Sequence, residues 1–177
     1  AIGGEVFWEE RELEFVLELT ARDPAGLEYK KTRLANWLMN VQAARIFDPH
    51  DLEHYFLGTY SSLSFEDDES VEYTVCTVVF KAYPYKIAVK PTTYVLEVPG
   101  STTRSFLVRN ESGHPVIPQV TCNHAVAITL SDVEYTFQAG TVKSSTFKLP
   151  PGMLELTVAN QQDTDGTVTV RFYEEVF

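Results

Sequence analysis

The sequence predicts a mainly β protein with a single helix, arranged as two modules. Three observations predict it. Between residue 24 and about residue 41, apolar residues recur at three- and four-residue spacing, the period of a one-faced helix. Elsewhere apolar residues come in short alternating or β-branched runs broken by Gly, Pro, Asn and Asp. Near Lys90 and Pro91 the character changes from mixed α/β to almost wholly β. That change places one domain at about 1–88 and a second at 93–177, with residues 86–93 as the linker.

Residues 5–20 read as a strand. Charged and apolar residues partly alternate from Glu10 to Glu14, and Phe15, Leu17 and Leu19 then share one parity. Asp23 followed by Pro24 is a helix start, because the Asp side chain can cap free amides and Pro suits the first helical position. The helix is expected at about 24–41, with Leu27, Leu34, Trp37, Leu38 and Val41 as its apolar face. Trp37 is expected to be a buried anchor between that helix and the long strands.

A short strand at 45–48 and a turn from Asp48 to Asp51 follow. Strands at 54–65 and 71–82 flank an acidic loop, 66–70, which reads as a solvated hairpin tip because its spacing is not that of an EF-hand. The strand at 71–82 carries β-branched residues on both parities and is expected to be central and covered on both faces. Both long strands have few Lys and no Pro to blunt an exposed edge, as a strand meant to pair with another chain would. In the second half, strands are expected at 93–98, 101–109, 116–122, 126–130, 133–137, 141–149, 153–158 and 167–176. Eight short strands at this spacing indicate a β-sandwich or jelly roll.

The net charge of −11 excludes one large class of partner. Residues 1–90 hold 9 Lys/Arg against 16 Asp/Glu, and residues 91–177 hold 5 against 9. Both halves would repel a phosphate backbone, so no nucleic-acid partner is expected. No apolar run approaches the ~20 residues of a membrane helix, and no membrane partner is expected. Cys76 and Cys122 each sit in a β-branched run without a metal-spaced neighbour. They read as two buried free thiols, with a disulfide as the less favoured reading.

The residues carry no motif for catalysis. There is no nucleophile elbow, P-loop or dinucleotide fingerprint. His50, His54, His114 and His124 all fall in or beside turns. His50 and His54 straddle a turn and a strand start, which makes a poor metal pair, and Cys122 with His124 lacks a third group. Carboxylate pairs for glycoside hydrolysis meet only in a fold, so 25 acids prove nothing by themselves. Tyr94, Tyr135 and Phe137 could present a sugar-binding platform but fit inward strand positions equally well, and core is the expected place for all three. No catalytic, cofactor-binding or metal-binding residue is therefore predicted, no cofactor is expected, and the binding residues are unassigned.

The order of motifs resembles one family. Arg11-Glu-Leu-Glu-Phe15 leads to a helix ending Leu34-Ala-Asn-Trp-Leu38. Phe47-Asp-Pro-His-Asp51, Tyr55-Phe-Leu-Gly-Thr-Tyr60 and Phe80-Lys-Ala-Tyr-Pro-Tyr85 follow. This series is similar to the distal tail proteins (Dit) of long-tailed phages of Gram-positive hosts. In the second half, Asn110-Glu-Ser-Gly-His-Pro115 with Pro118 resembles the entry to that family's C-terminal domain. Leu149-Pro-Pro-Gly-Met-Leu-Glu-Leu156 and residues 168–173 resemble two of its later strands, although Glu155 stands where Asn is usual.

The resemblance implies structural work rather than enzymatic activity. It implies an N-terminal ring-forming domain and a C-terminal galectin-like β-sandwich facing outward. It implies a phage or prophage tail-tip or baseplate component at the virion tail tip, assembled in the host cytoplasm. The implied partners are other copies in a hexameric ring, the tail tube protein, a tail-associated hub protein and receptor-binding proteins. It also implies that this chain lacks the start of its first domain, and that the ring belongs to the full-length protein. The alternative reading is a carbohydrate-binding β-sandwich module for host cell-wall glycans, which accounts for the second half but not for the helix-containing first half.

Overall fold

The computed structural model describes residues 9–66 and 73–177. The start of the first expected strand (5–8), the acidic loop (67–70) and residues 71 and 72 lie outside the described residues. The chain divides into two compact units, Ala1–Lys86 and Ile87–Phe177. It is mainly β, with one α-helix among the described residues.

The first unit contains β1 (Arg11–Thr20), α1 (Pro24–Met39), β2 (Ala44–Asp48), β3 (Asp51–Glu66) and most of β4 (Tyr73–Ala88), in the sheet order β1-β4-β3-β2. β1 runs antiparallel to β4, from Arg11 opposite Ala82 to Thr20 opposite Tyr73. The helix starts where its signals lie. Asp23 Oδ1 accepts from the Gly26 amide at 2.7 Å, with Pro24 beginning the first turn. It stops at Asn40, whose side chain donates to the Asn36 carbonyl at 2.7 Å.

Leu27 and Leu38 of the helix are buried, at 5% and 1% exposed. Leu38 packs with Val78 and Phe80, and Leu13, Phe15, Leu34 and Tyr60 close around them. Phe80 receives Phe15 and Tyr60 edge-on, at centroid distances of 6.0 and 6.4 Å.

Trp37 is not the anchor that the spacing predicts: it is 63% exposed. At about 100° per residue it lies roughly 80° from the line through Leu27, Leu34 and Leu38, at the margin of the apolar stripe. Leu38 takes the central place, and Lys31 fills the seam, with its ammonium 5.5 Å from the centre of the Phe65 ring.

β4 also differs from expectation. It is an interior strand, but only one face is buried, through Thr74, Cys76, Val78, Phe80 and Ala82. Val75, Thr77 and Val79 on the other face are half-buried, and Tyr73, Lys81 and Tyr83 are exposed. β4 continues through Pro84 to Ala88, across the start of the expected linker. A strand proline is tolerated there because the pairing with β1 has already ended at Ala82.

The second unit holds β5 (Thr92–Val98), β6 (Thr103–Asn110), β7 (Gln119–Cys122), β8 (Val126–Leu130), β9 (Val133–Phe137), β10 (Gly140–Lys143), β11 (Gly152–Asn160), β12 (Gly166–Phe172) and the short β13 (Glu175–Val176). Two four-stranded sheets form, β10-β7-β12-β5 and β6-β11-β8-β9. β5 pairs with β12, β6 with β11, β7 with β10 and β8 with β9, all antiparallel. The eight strands are thus one long nested hairpin rolled into two sheets, the jelly-roll order. Of the strand expected at 141–149, only Gly140–Lys143 pairs continuously, and Leu149 returns as a single bridge to Val116.

The core of this unit follows the period of two. Val168 and Val170 of β12, Leu156 and Val158 of β11 and Ile128 of β8 are wholly buried, with Phe147 and Leu149 from the connection before β11. Two buried amides close the strand ends. Asn110 Nδ2 donates to the Leu149 carbonyl at 2.8 Å, and its Oδ1 accepts from the Ser112 amide at 3.0 Å. Asn160 Nδ2 donates to the carbonyls of Thr164 (2.9 Å) and Val98 (3.2 Å), and its Oδ1 accepts from the Gln162 amide at 3.0 Å.

These contacts generate two predictions. Leu38→Ala is expected to cost about 2–5 kcal/mol, because it empties the centre of a small core. Trp37→Ala is expected to cost less than about 1 kcal/mol, as exposed positions do. Urea unfolding of both variants checks the order. Asn160→Leu is expected to cost about 3 kcal/mol, because it strands two carbonyls and an amide that the native side chain satisfies. The shift of its denaturation midpoint measures that loss.

Candidate interaction surfaces

Among the described residues, no arrangement of side chains resembles a catalytic centre. Among the described residues, no three His, Cys, Asp or Glu side chains gather closely enough to hold a metal ion. No described helix is long and apolar enough to cross a membrane. Cys76 and Cys122 are both free and buried. Burial raises the Cys76 thiol above its ordinary value and pushes Cys122 up to about 11, so both stay protonated and unreactive at neutral pH.

The histidines are used locally. The His50 amide donates to Asp48 Oδ1 at 2.9 Å and closes the turn between β2 and β3. His54 Nδ1 lies 2.9 Å from Asp51 Oδ1. His124 Nε2 meets the Thr164 hydroxyl at 3.1 Å, while Cys122 is buried in the sandwich core, so the two do not act as a pair. His114 Nε2 lies 2.7 Å from Glu175 Oε2, and its Nδ1 lies 3.0 Å from the Pro115 carbonyl. These contacts hold the loop after β6 to β13.

The aromatic residues that could have formed a sugar platform are packed. Phe137 is buried, and Tyr94 and Tyr135 lie half-buried against the same core. The Tyr94 hydroxyl accepts from the Arg109 amide at 2.9 Å and donates to the Arg109 carbonyl at 3.1 Å. That double bond between β5 and β6 is a structural use of the phenol.

Two features of the first unit suit contact with another protein. One is an apolar groove of about 300 Å³ between α1 and the sheet, lined by Phe15, Leu17, Leu34, Trp37, Ala44 and Ile46. Leu17 and Trp37 are the exposed part of that lining. Trp37 belongs to this surface, and its place at the margin of the helical stripe was the signal for it. The other feature is a pair of open strand edges. β4 is interior and β3 is interior as far as Gly58, so of the edge expected along them only part is open. Among the described residues, the open edges are the outer side of β1, the outer side of the short β2 and the stretch of β3 beyond Gly58, where the pairing with β2 ends.

A polar clasp, which the sequence did not point to, holds the β2–β3 end of that sheet. Asp51 Oδ2 accepts from Lys86 Nζ at 2.9 Å while Oδ1 faces His54. The bonds from His54 and Lys86 lower the Asp51 carboxyl from 3.8 to about 2. A lowered folded-state value means stabilisation that is full above the unfolded value of 3.8 and lost as pH falls toward 2. Asp51→Asn is therefore expected to lower the thermal midpoint at neutral pH, and the gap to the parent should close between about pH 4 and pH 2. Melting curves across that window test it, and a gap independent of pH would exclude the clasp as its source.

No protein-family model matches the chain, and no curated protein is significantly similar to it in sequence. Among solved structures, the crystal structure of the SPP1 Dit protein, described as a paradigm of the hub adsorption apparatus in phages infecting Gram-positive hosts, matches with a TM-score of 0.66 at 16% identity. That match covers 97% of this chain and 84% of the other. A de novo designed double-stranded β-helix covers 48% of this chain with a TM-score of 0.33 and 13% identity. The CENP-C domain of Drosophila melanogaster, solved bound to CAL1, covers 82% with a TM-score of 0.29 and 12% identity. The last two are too distant to carry an argument. The fold of this chain, over nearly its whole length, is that of the SPP1 distal tail protein.

Proposed function

We propose that the chain is a structural component of a phage or prophage tail tip or baseplate, joining the tail tube to the host-recognition apparatus. The single observation that carries this reading is the fold match to the SPP1 protein along 97% of the chain. The first unit would form the ring and the second, the sandwich, would face outward as the docking part. Its proposed partners are other copies in a hexameric ring, the tail tube protein, the tail-associated hub protein and receptor-binding proteins. Its proposed place is the virion tail tip, after assembly in the host cytoplasm. It would work without an active site or a cofactor.

Ring closure by head-to-tail contacts needs two different complementary patches on each subunit. The outer edge of β1 and the open stretch of β3 lie toward opposite sides of the first sheet, and each has backbone groups to offer. The exposed Trp37 and its groove add apolar area of the kind that interfaces concentrate.

The protein is expected to sediment as a hexamer. Association is expected to strengthen at high salt, because the excess of acids in residues 1–90 is then screened. Sedimentation equilibrium at low and high salt reads both. A protein that stays monomeric across ~1–100 µM overturns the ring.

A further inference from the structure

The second unit carries charges of opposite sign on the outward faces of its two sheets. Residues directly opposite one another in antiparallel strands share a face. Arg171 of β12 stands opposite Gln119 of β7, and Gln119 stands opposite Lys143 of β10. All three are exposed, so Arg171 and Lys143 project from the outer face of the sheet β10-β7-β12-β5, two strands apart. At about 4.8 Å per strand, their backbones are about 10 Å apart. The row beside them, Val95, Thr169, Thr121 and Thr141, is uncharged. Glu97, opposite Thr167, is the acid of this face and lies at its far end.

The outer face of the other sheet has the opposite sign. Glu155 of β11 stands opposite Leu107 of β6, and Glu134 of β9 stands opposite Thr129 of β8, which in turn faces Thr157 of β11. Both acids are exposed. They too lie two strands apart, and one step of two residues along, which sets their backbones about 12 Å apart. Asp132 and Glu155 line a shallow groove of about 320 Å³ that no Lys, Arg or His lines. The cation of this face, Arg109, is paired with Glu111 at 3.1 Å. Among the described residues, Asp132, Glu134, Glu155, Lys143 and Arg171 make no ion pair, and Arg171 rests over the Tyr173 ring at 5.9 Å.

Two faces of opposite sign and similar spacing lie on opposite sides of one sandwich, so they cannot meet within a molecule. They can meet between two copies, the basic face of one against the acidic face of the next, which is the head-to-tail pairing that a ring repeats. We propose that neighbouring copies also touch through their sandwiches, with Arg171 and Lys143 of one copy seated on Glu155 and Glu134 of the next. Exposed Leu107 and Met153 beside the acids, and Val95 beside the cations, add apolar area. A different protein with an acidic face would match only one of the two faces, whereas a second copy uses both. Four strands of about five residues cover about 300 Å², or about 600 Å² on the two partners, short of the ~1,000 Å² of a freestanding interface. The contact therefore rests on the ring reading: the first units must hold the copies together, at an effective concentration that lets a small interface form.

The test mixes unlabelled and isotope-labelled protein and treats the mixture with a carbodiimide, which joins a Lys amine only to a carboxylate that it touches. A link between Lys143 of one copy and Glu155 or Glu134 of another, seen as a heavy–light peptide pair, is expected in the hexamer. Its yield should fall as salt rises, opposite in sign to assembly as a whole. Reversing the basic face, Lys143→Glu with Arg171→Glu, should raise the concentration needed for assembly about tenfold and leave the thermal midpoint unchanged. Reversing the acidic face as well, Glu134→Lys with Glu155→Lys, should restore assembly. A hexamer without the link, or a reversed basic face that assembles as the parent does, overturns the sandwich contact and leaves the ring standing; faces that serve a different protein would give that result. A protein that sediments as a monomer overturns the ring and this contact with it.

Discussion

The sandwich depends on a close approach of two turns, organised by the amide of Asn160. The turn between β5 and β6 and the turn between β11 and β12 meet there. Asn160 satisfies carbonyls on both, and the Ser101 amide donates to the Gln162 carbonyl at 2.7 Å. Gly100 permits the contact: a Cβ on it would fall 2.2 Å from the Asp163 carbonyl oxygen. Ser101, with φ of 54°, donates its hydroxyl to Asp163. A buried amide this fully satisfied specifies one register for the strands on either side, because a slip of one residue would leave it without partners.

The first unit is built on a thinner margin. Its buried cluster is Leu38, Val78 and Phe80, with the surrounding apolar residues only partly covered. Cation–ring contacts and ion pairs supplement it: Arg11 and Lys86 both lie over Phe56, and Arg45 over Tyr55. A sheet with one helix-covered face and one open face is what a subunit of a larger assembly can tolerate. The same sheet standing alone leaves Val16 and Leu57 in water.

Local signals were legible in the sequence and non-local ones were not. Asp23 and Pro24 marked the helix start because capping is decided within one turn. β8 and β9 were legible to the residue because β-branched runs and a tight turn bound them. Trp37 was misplaced because adjacent positions at the edge of a helical stripe compete for one core site, and only the packing partner decides between them. β4 was legible as central from its β-branched residues, but that β3 is open only beyond Gly58 was not, since an edge is defined by what fails to pair with it. The Asp51–Lys86 pair joins residues 35 apart in sequence, and nothing local announces it. Tyr135 and Phe137 were expected in the core from their inward strand positions, and both pack there against Phe147.

The nested pairing also constrains the order of events during synthesis. The innermost hairpin, Leu130 opposite Val133, can close as soon as it leaves the ribosome. The outermost pair joins Thr92 to Phe172, so the first strand of the sandwich waits for nearly the last residues of the chain. Each enclosing pair closes a longer loop than the one inside it, with the entropy of the inner loops already spent. Until then β5 is an apolar strand without a partner. A truncation near the C-terminus would therefore do more than trim an end. It would remove the partner of β5 and release a strand able to pair with another molecule, so that premature termination favours aggregation over a shortened fold.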